Sequence, residues 1–189
     1  MVLVGQGRLM PLKPLSPTAV ARASRCLHAW TLDCFGDPAL KREPDAGTLL
    51  RWDRGREHER EQLKALPKYV QPTWDGKDWK AGFRSTVQLM REGHPWIYQG
   101  VLLRENFRGL PDLLKKVKGS SSLGAHTYLP IDINGHKSVT TKDRFQVLAY
   151  ALLLEPVLGA RASRGGIWLN TGATEELQEL TPGCAFLFR

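Results

Sequence analysis

The sequence predicts an α/β or α+β chain, a mixed sheet with helices packed on it, and three observations carry that expectation. Apolar stripes at helical spacing open the chain and recur after Thr141. Short β-favouring runs bounded by turn residues fill much of the stretch from Pro95 to Asn134. The chain is 189 residues long and 42% hydrophobic, enough for one sizeable core. Helices, then three strands, then a helix and a final hairpin is an order that suits a sheet covered by helices.

Residues 1–15 read as a loose N-terminus, since "MVLVGQGRLMPLKPLSP" is broken by Gly, Arg, Lys and three prolines and has no apolar run of signal-peptide length. One domain is expected over residues 16–189. Ser16 can cap a helix with Pro17 in its first turn, and "PTAVARASRCLHAWTLDCFG" carries an apolar stripe to Gly36. A second helix is expected from about Thr48 to Leu66, stopped by Pro67, with opposite charges interleaved along its exposed side and His58 in its middle. "PKYVQPTWDGKDWKAG" reads as a strand and a loop, and "FRSTVQLMREG" as a shorter helix closed by Gly93.

In "PWIYQGVLLRENFRGLPDLLKKV" two β-favouring runs flank "REN", the mark of a hairpin. "KGSSSLGAH" reads as a flexible connector and "TYLPIDIN" as the next strand. Thr141 is expected to cap "KDRFQVLAYALLLE", a helix ended by Pro156 and Gly159. "GGIWLNTGATEELQELTPG" reads as a hairpin. "CAFLFR" matches no element, which predicts a chain truncated at its C-terminus.

Charge and cysteine usage narrow the class. The net charge of +8 makes a polyanion such as nucleic acid a plausible partner. Cys26, Cys34 and Cys184 are too few and too scattered for a disulfide framework or a CxxC metal site, so a reducing cytoplasm fits, with Cys26 expected to be a small buried residue. No run approaches the roughly 20 apolar residues that cross a bilayer, and no membrane partner is expected.

Four features carry chemistry. Gly109, Pro111 and Asp112 form "GLPD" at the start of the second hairpin strand; Asp132 lies near the end of the next strand, with Asn134 on its side; His58 sits in "GREHE"; Gln146 and Tyr150 share one face of an apolar helix. Two strand carboxylates brought side by side suit magnesium or manganese, hard cations that prefer oxygen and keep positions for water and phosphate, and an imidazole would bias the site towards manganese. Each feature also has a plainer reading. Asp112 suits a turn cap, His58 a solvated helix position, and Gln146 and Tyr150 polar tips tying helix to sheet.

Taken together and in order, "SRCLHAWTLDCFGDP", "RGREHE", "GLPD", "PIDIN" and "QVLAY" resemble the RecB-like branch of the PD-(D/E)XK nuclease superfamily, related to CRISPR-associated and AddB-type exonuclease domains. The resemblance runs from about Leu15 to Gly159, and its Q-x-x-x-Y element is the most branch-specific. It implies a restriction-endonuclease-like mixed β-sheet core flanked by helices. It also implies a site in which His58, Asp112, Asp132 and the carbonyl of Ile133 hold Mg2+ or Mn2+, while Gln146 and Tyr150 bind the backbone or orient neighbours. The implied reaction is metal-dependent, exonuclease-type hydrolysis of DNA, with further helicase or nuclease domains as partners.

The sequence departs from the family at two places. The lysine of D/E-x-K is replaced by Asn134, and loss of one preorganised contact of that kind typically slows a reaction about 100- to 1,000-fold. Lys137, in the turn that follows, is the preferred substitute for its charge, and His136 a weaker one. Only Cys184 lies after the Q-x-x-x-Y helix, so no iron–sulfur cluster is expected. Two other readings stand beside the nuclease: a catalytically weakened RecB-like module that binds nucleic acid or serves a larger assembly, and an unrelated basic α/β protein.

Overall fold

A computed structural model of the chain describes residues 2–3, 9–10, 14–160, 162, 164–170 and 176–179. Two short strands, β1 (Val2–Leu3) and β2 (Leu9–Met10), pair antiparallel. Ser16 caps α1 (Pro17–Arg25), its hydroxyl accepting from Ala19 N at 3.1 Å. The single helix expected to Gly36 is in fact two. Cys26 is extended (φ −155°, ψ 100°) and its Sγ caps a separate α2 (Leu27–Phe35) by accepting from Ala29 N at 3.4 Å. Cys26 is also exposed, which corrects its expected burial.

The long charged helix is α3 (Ala46–Lys64), capped by Asp45; its i,i+3 pairs Asp53–Arg56 and Glu57–Arg60 decorate the solvent side. "PKYV" forms no full strand, only a bridge from Val70 to Ile97. Asp78 starts α4 (Trp79–Glu92) one turn earlier than expected, and Gly93 ends it at φ +75°, a conformation that glycine adopts without steric cost.

Among the described residues the largest sheet has five strands in the order β3 (Trp96–Tyr98), β6 (Leu113–Ser121), β7 (Gly124–Asn134), β8 (Arg164–Leu169) and β9 (Glu176–Glu179). All neighbours are antiparallel except β7 and β8. The sheet is therefore mixed, with helices on it, as the sequence predicts. The "REN" hairpin forms, as β4 (Leu102–Arg104) with β5 (Phe107–Gly109), but as a small separate sheet; "GLPD" leads out of it into β6. The expected connector "KGSSSLGAH" is instead the tip of the β6–β7 hairpin, turning at Ser122–Leu123 with Gly124 at φ +114°. Its polar composition reflects strand ends exposed to water rather than absence of structure.

The parallel β7–β8 step requires a crossover, and α5 (Thr141–Leu158) supplies it. Thr140, not Thr141, is its cap, in a reciprocal box with Asp143. Pro156 lies inside the last turn instead of ending the helix, which stops at Gly159 in the left-handed region. α5 is buried on most sides: Leu153, Leu154 and Leu158 pack with Leu114 and Tyr128 of the sheet and Met90 of α4. The opposite face of the sheet, through Leu113 and Ile131, receives Leu63 of α3. Helices on both faces thus meet at the end of the sheet where β6 begins and β7 ends. No helix among the described residues is long and apolar enough to cross a membrane.

Candidate active site

The register of the β6–β7 hairpin decides where the two aspartates fall. Leu113 pairs with Ile131, so Asp112, one residue before β6, stands opposite Asp132. The two carboxylates belong to neighbouring strands, and Asp112 Oδ2 accepts from Ile133 N at 2.6 Å. Asp132 is 4% exposed. Burial raises the Asp112 carboxyl well above its ordinary range, and the adjacent Asp132 raises it further. Burial likewise pushes Asp132 up to about 6, against amide hydrogen bonds from Asn134 and Gln146 that lower it.

Those two amides occupy both oxygens of Asp132. Asn134 Nδ2 donates to Oδ2 at 2.8 Å and Gln146 Nε2 to Oδ1 at 2.9 Å. Asn134 thus shares the face of Asp132, as period-two alternation along β7 requires. Gln146 reaches it from α5, and one turn on Tyr150 donates to Leu110 O at 3.0 Å, gripping the "GLPD" backbone from the helix. Tyr150 gets that close because Gly109 has no side chain: a Cβ there would lie 2.8 Å from Tyr150 Cε1 and 2.9 Å from Pro17 Cδ. The Q-x-x-x-Y pair therefore orients the two acidic strand segments, one residue each. Burial, then Asp132 and Asp112, raise the Tyr150 phenol well above its usual value, so it stays a donor.

His58 and Glu59 arrive from α3 on the other side. His58 is 7% exposed, not solvated, and its buried Nε2 has no hydrogen-bond partner in the structure. Glu59 also has one buried oxygen, Oε1, without a partner. Its charge raises the carboxyl of Asp112, and with burial as the larger cause it helps push the Tyr98 phenol up to about 12. Glu59 stands within the quoted motif "GREHE" yet escaped the sequence reading, because the alternating charges of α3 read as a uniformly solvated side.

Lys137 is exposed in the bend after β7. The cation whose charge lowers Asp132 is Lys142, half-buried in the first turn of α5, which sequence reading also passed over. His136 is tied to the cap of α5, its Nε2 2.8 Å from Asp143 Oδ2. Cys184 lies outside the described residues.

Among the described residues no three His, Cys, Asp or Glu side chains form a ready-made metal cage. The two aspartates could offer oxygens to a divalent cation, since their carboxylates stand side by side and repel each other; the charge of Glu59 reaches Asp112, whereas no contact among the described residues joins His58 to either aspartate. Magnesium commonly uses one or two carboxylates and completes its shell with water and substrate phosphate. No protein-family model matches the chain, and comparison with curated proteins finds no match.

Proposed function

We propose that the chain is a divalent-metal-dependent deoxyribonuclease of the RecB-like, PD-(D/E)XK type, with a restriction-endonuclease-like core. One observation carries this reading: half-buried Asp112, at the start of β6, and buried Asp132 on β7, distant in sequence, stand opposite each other with no lysine or arginine salt-bridged to either among the described residues. Buried like charges are costly unless a cation joins them or a proton neutralises one. Asp112 and Asp132 would hold Mg2+ or Mn2+, with His58 and the carbonyl of Ile133 as further ligands. When bound, the metal supplies Lewis acidity at the scissile phosphate and acidifies a coordinated water.

The remaining work falls to the chain itself. Gln146 and Asn134 fix the Asp132 carboxylate in one orientation, and Tyr150 fixes the approach of Asp112. Lys142 brings positive charge towards the place where the phosphate would gain negative charge. A second reading, a weakened module that binds without cutting, is favoured by one feature: the side chain in the lysine position is an amide, and it is spent on Asp132.

The test is cleavage of single- and double-stranded DNA with magnesium or manganese by three chains. The natural chain should cut and Asp112→Ala should not; Asn134→Lys should cut about 100- to 1,000-fold faster, the range for one preorganised charge contact. Cleavage by Asp112→Ala at the natural rate would refute the assignment. Cleavage by Asn134→Lys alone would favour the second reading.

A further inference from the structure

The break between α1 and α2 makes a concavity that neither the carboxylate site nor the fold explains. A cleft of about 450 Å³ is lined by Thr18, Arg22, Arg25, Cys26, Ala29 and Lys142. Three of the six are cations and none is acidic. The last turn of α1 supplies Arg22 and Arg25, the cap and first turn of α2 supply Cys26 and Ala29, and Lys142 comes from the first turn of α5. The positive end of the α2 dipole faces the negative end of α1 here, and Asp143 holds the cap of α5, so the positive charge of the cleft comes from its three side chains.

Arg22 is held in place from behind: its Nε meets Asp33 Oδ2 at 2.8 Å, and Asp33 is shared with Lys41 at 3.3 Å. That bond holds the guanidinium at the wall of the cleft. Arg25 has no ion pair among the described residues. Lys142 links the cleft to the carboxylates by its place on α5: it lines the cleft one helical turn before Gln146, whose amide donates to Asp132 Oδ1 at 2.9 Å.

We infer that this cleft binds the phosphodiester backbone of a single nucleic-acid strand running to the aspartate pair. The identity of the anion as nucleic acid rests on the function proposed above; the cleft and its charge do not. A positive groove that follows one backbone is the general device for single strands, whereas the rigid convex surface of a duplex does not enter a concavity of this size. The strand makes phosphate contacts with Arg22, Arg25 and Lys142, which position it without reading sequence.

Cys26 provides a reporter inside the cleft, exposed and at its wall, with half-buried Cys34 as a reference outside it. Binding is measured in EDTA, so that cleavage plays no part, by fluorescence anisotropy of a labelled oligothymidine and of a matched duplex over a series of salt concentrations. Alkylation of Cys26 by iodoacetamide is followed by mass spectrometry with the oligothymidine, the duplex or inorganic phosphate present. The single strand should slow alkylation of Cys26 and leave Cys34 unchanged. Arg25→Glu should remove the protection and weaken binding about tenfold, and Arg25→Gln should reduce the slope of log affinity against log salt by about 0.7, the value for one phosphate contact on a single strand. Thermal unfolding of both variants should match the natural chain, since Arg25 is exposed.

Equal affinity and slope in the Arg25 variants, or alkylation of Cys26 indifferent to the oligonucleotide, would overturn the inference. Equal protection by the duplex would overturn the single strand, and equal protection by inorganic phosphate would overturn nucleic acid as the ligand. The two proposals fail separately. Protection of Cys26 without cleavage by any variant leaves the cleft and removes the nuclease; cleavage without protection does the reverse.

Discussion

Replacing Asp132 with asparagine in the metal-free protein should remove part of the pH dependence of folding. Burial raises this carboxyl from 3.8 to about 6 in the folded chain. The difference, about 2 pH units, corresponds to about 3 kcal/mol at 1.36 kcal/mol per unit. A raised carboxyl means that between these two values the folded chain keeps a proton the unfolded chain has released. Its contribution is thus whole below pH 3.8 and is lost as the pH climbs through about 6. The amide of the Asp132→Asn variant has no proton to lose. The stability of the natural chain minus that of Asp132→Asn should therefore fall by about 3 kcal/mol or more between about pH 4 and about pH 7.5, the excess coming from Asp112, which loses in the variant the adjacent charge that raises it. An amide accepts from only one of Asn134 and Gln146, which offsets the variant by about 1–2 kcal/mol at every pH and cancels in the comparison. Urea unfolding in EDTA at constant ionic strength measures it. At about pH 7.5, magnesium at about 100 times its dissociation constant should return about 2.7 kcal/mol to the natural chain and little to the variant. A difference between the two chains that stays flat with pH would refute the buried, titrating carboxylate on which the site is built.

Two further substitutions test the frame around the site. Gly165→Ala on β8 would place a methyl group against Val147 Cγ1 of α5 and 3.3 Å from Pro130 O, so it should destabilise by about 1–3 kcal/mol in thermal unfolding. Thr140→Ala removes the hydroxyl that accepts from Asp143 N and donates to Asp143 Oδ2, and should lose about 1 kcal/mol by urea unfolding, with a loss below about 0.3 kcal/mol counting against the capping box.

Much of the site was legible because it follows from alternation and spacing. Asp132 and Asn134 share a face by the period of a strand, and Gln146 and Tyr150 share one by the period of a helix; both relations survive in the hydrogen bonds. What escaped has physical causes. Arg25–Cys26–Leu27 holds no Gly or Pro, so nothing in the residue types announces that the helix breaks where a thiol caps the next one. "KGSSSLGAH" is polar because the hairpin tip stands in water, and polarity alone does not separate an exposed strand from a connector. Glu59 and Lys142 were hidden by charged neighbours, since a charge run looks the same whether or not one member turns inward. Lys137 is nearer to Asp132 in sequence, but a turn of α5 brings Lys142 into range instead.

The chain closes most of its acidic cluster over short stretches. Asp112 meets Ile133 across 21 residues within one hairpin, and Gln146 meets Asp132 across 14 residues through the start of one crossover. Both loops carry a modest closure entropy, which grows only slowly with length. His58 and Glu59 come from a helix far earlier in the chain, anchored on the sheet through Leu63 near its end. In kinetic terms the shorter separations should let the aspartates meet early and the docking of α3 follow. An assembling chain would thus hold its two carboxylates together before α3 closes over the other face of the sheet.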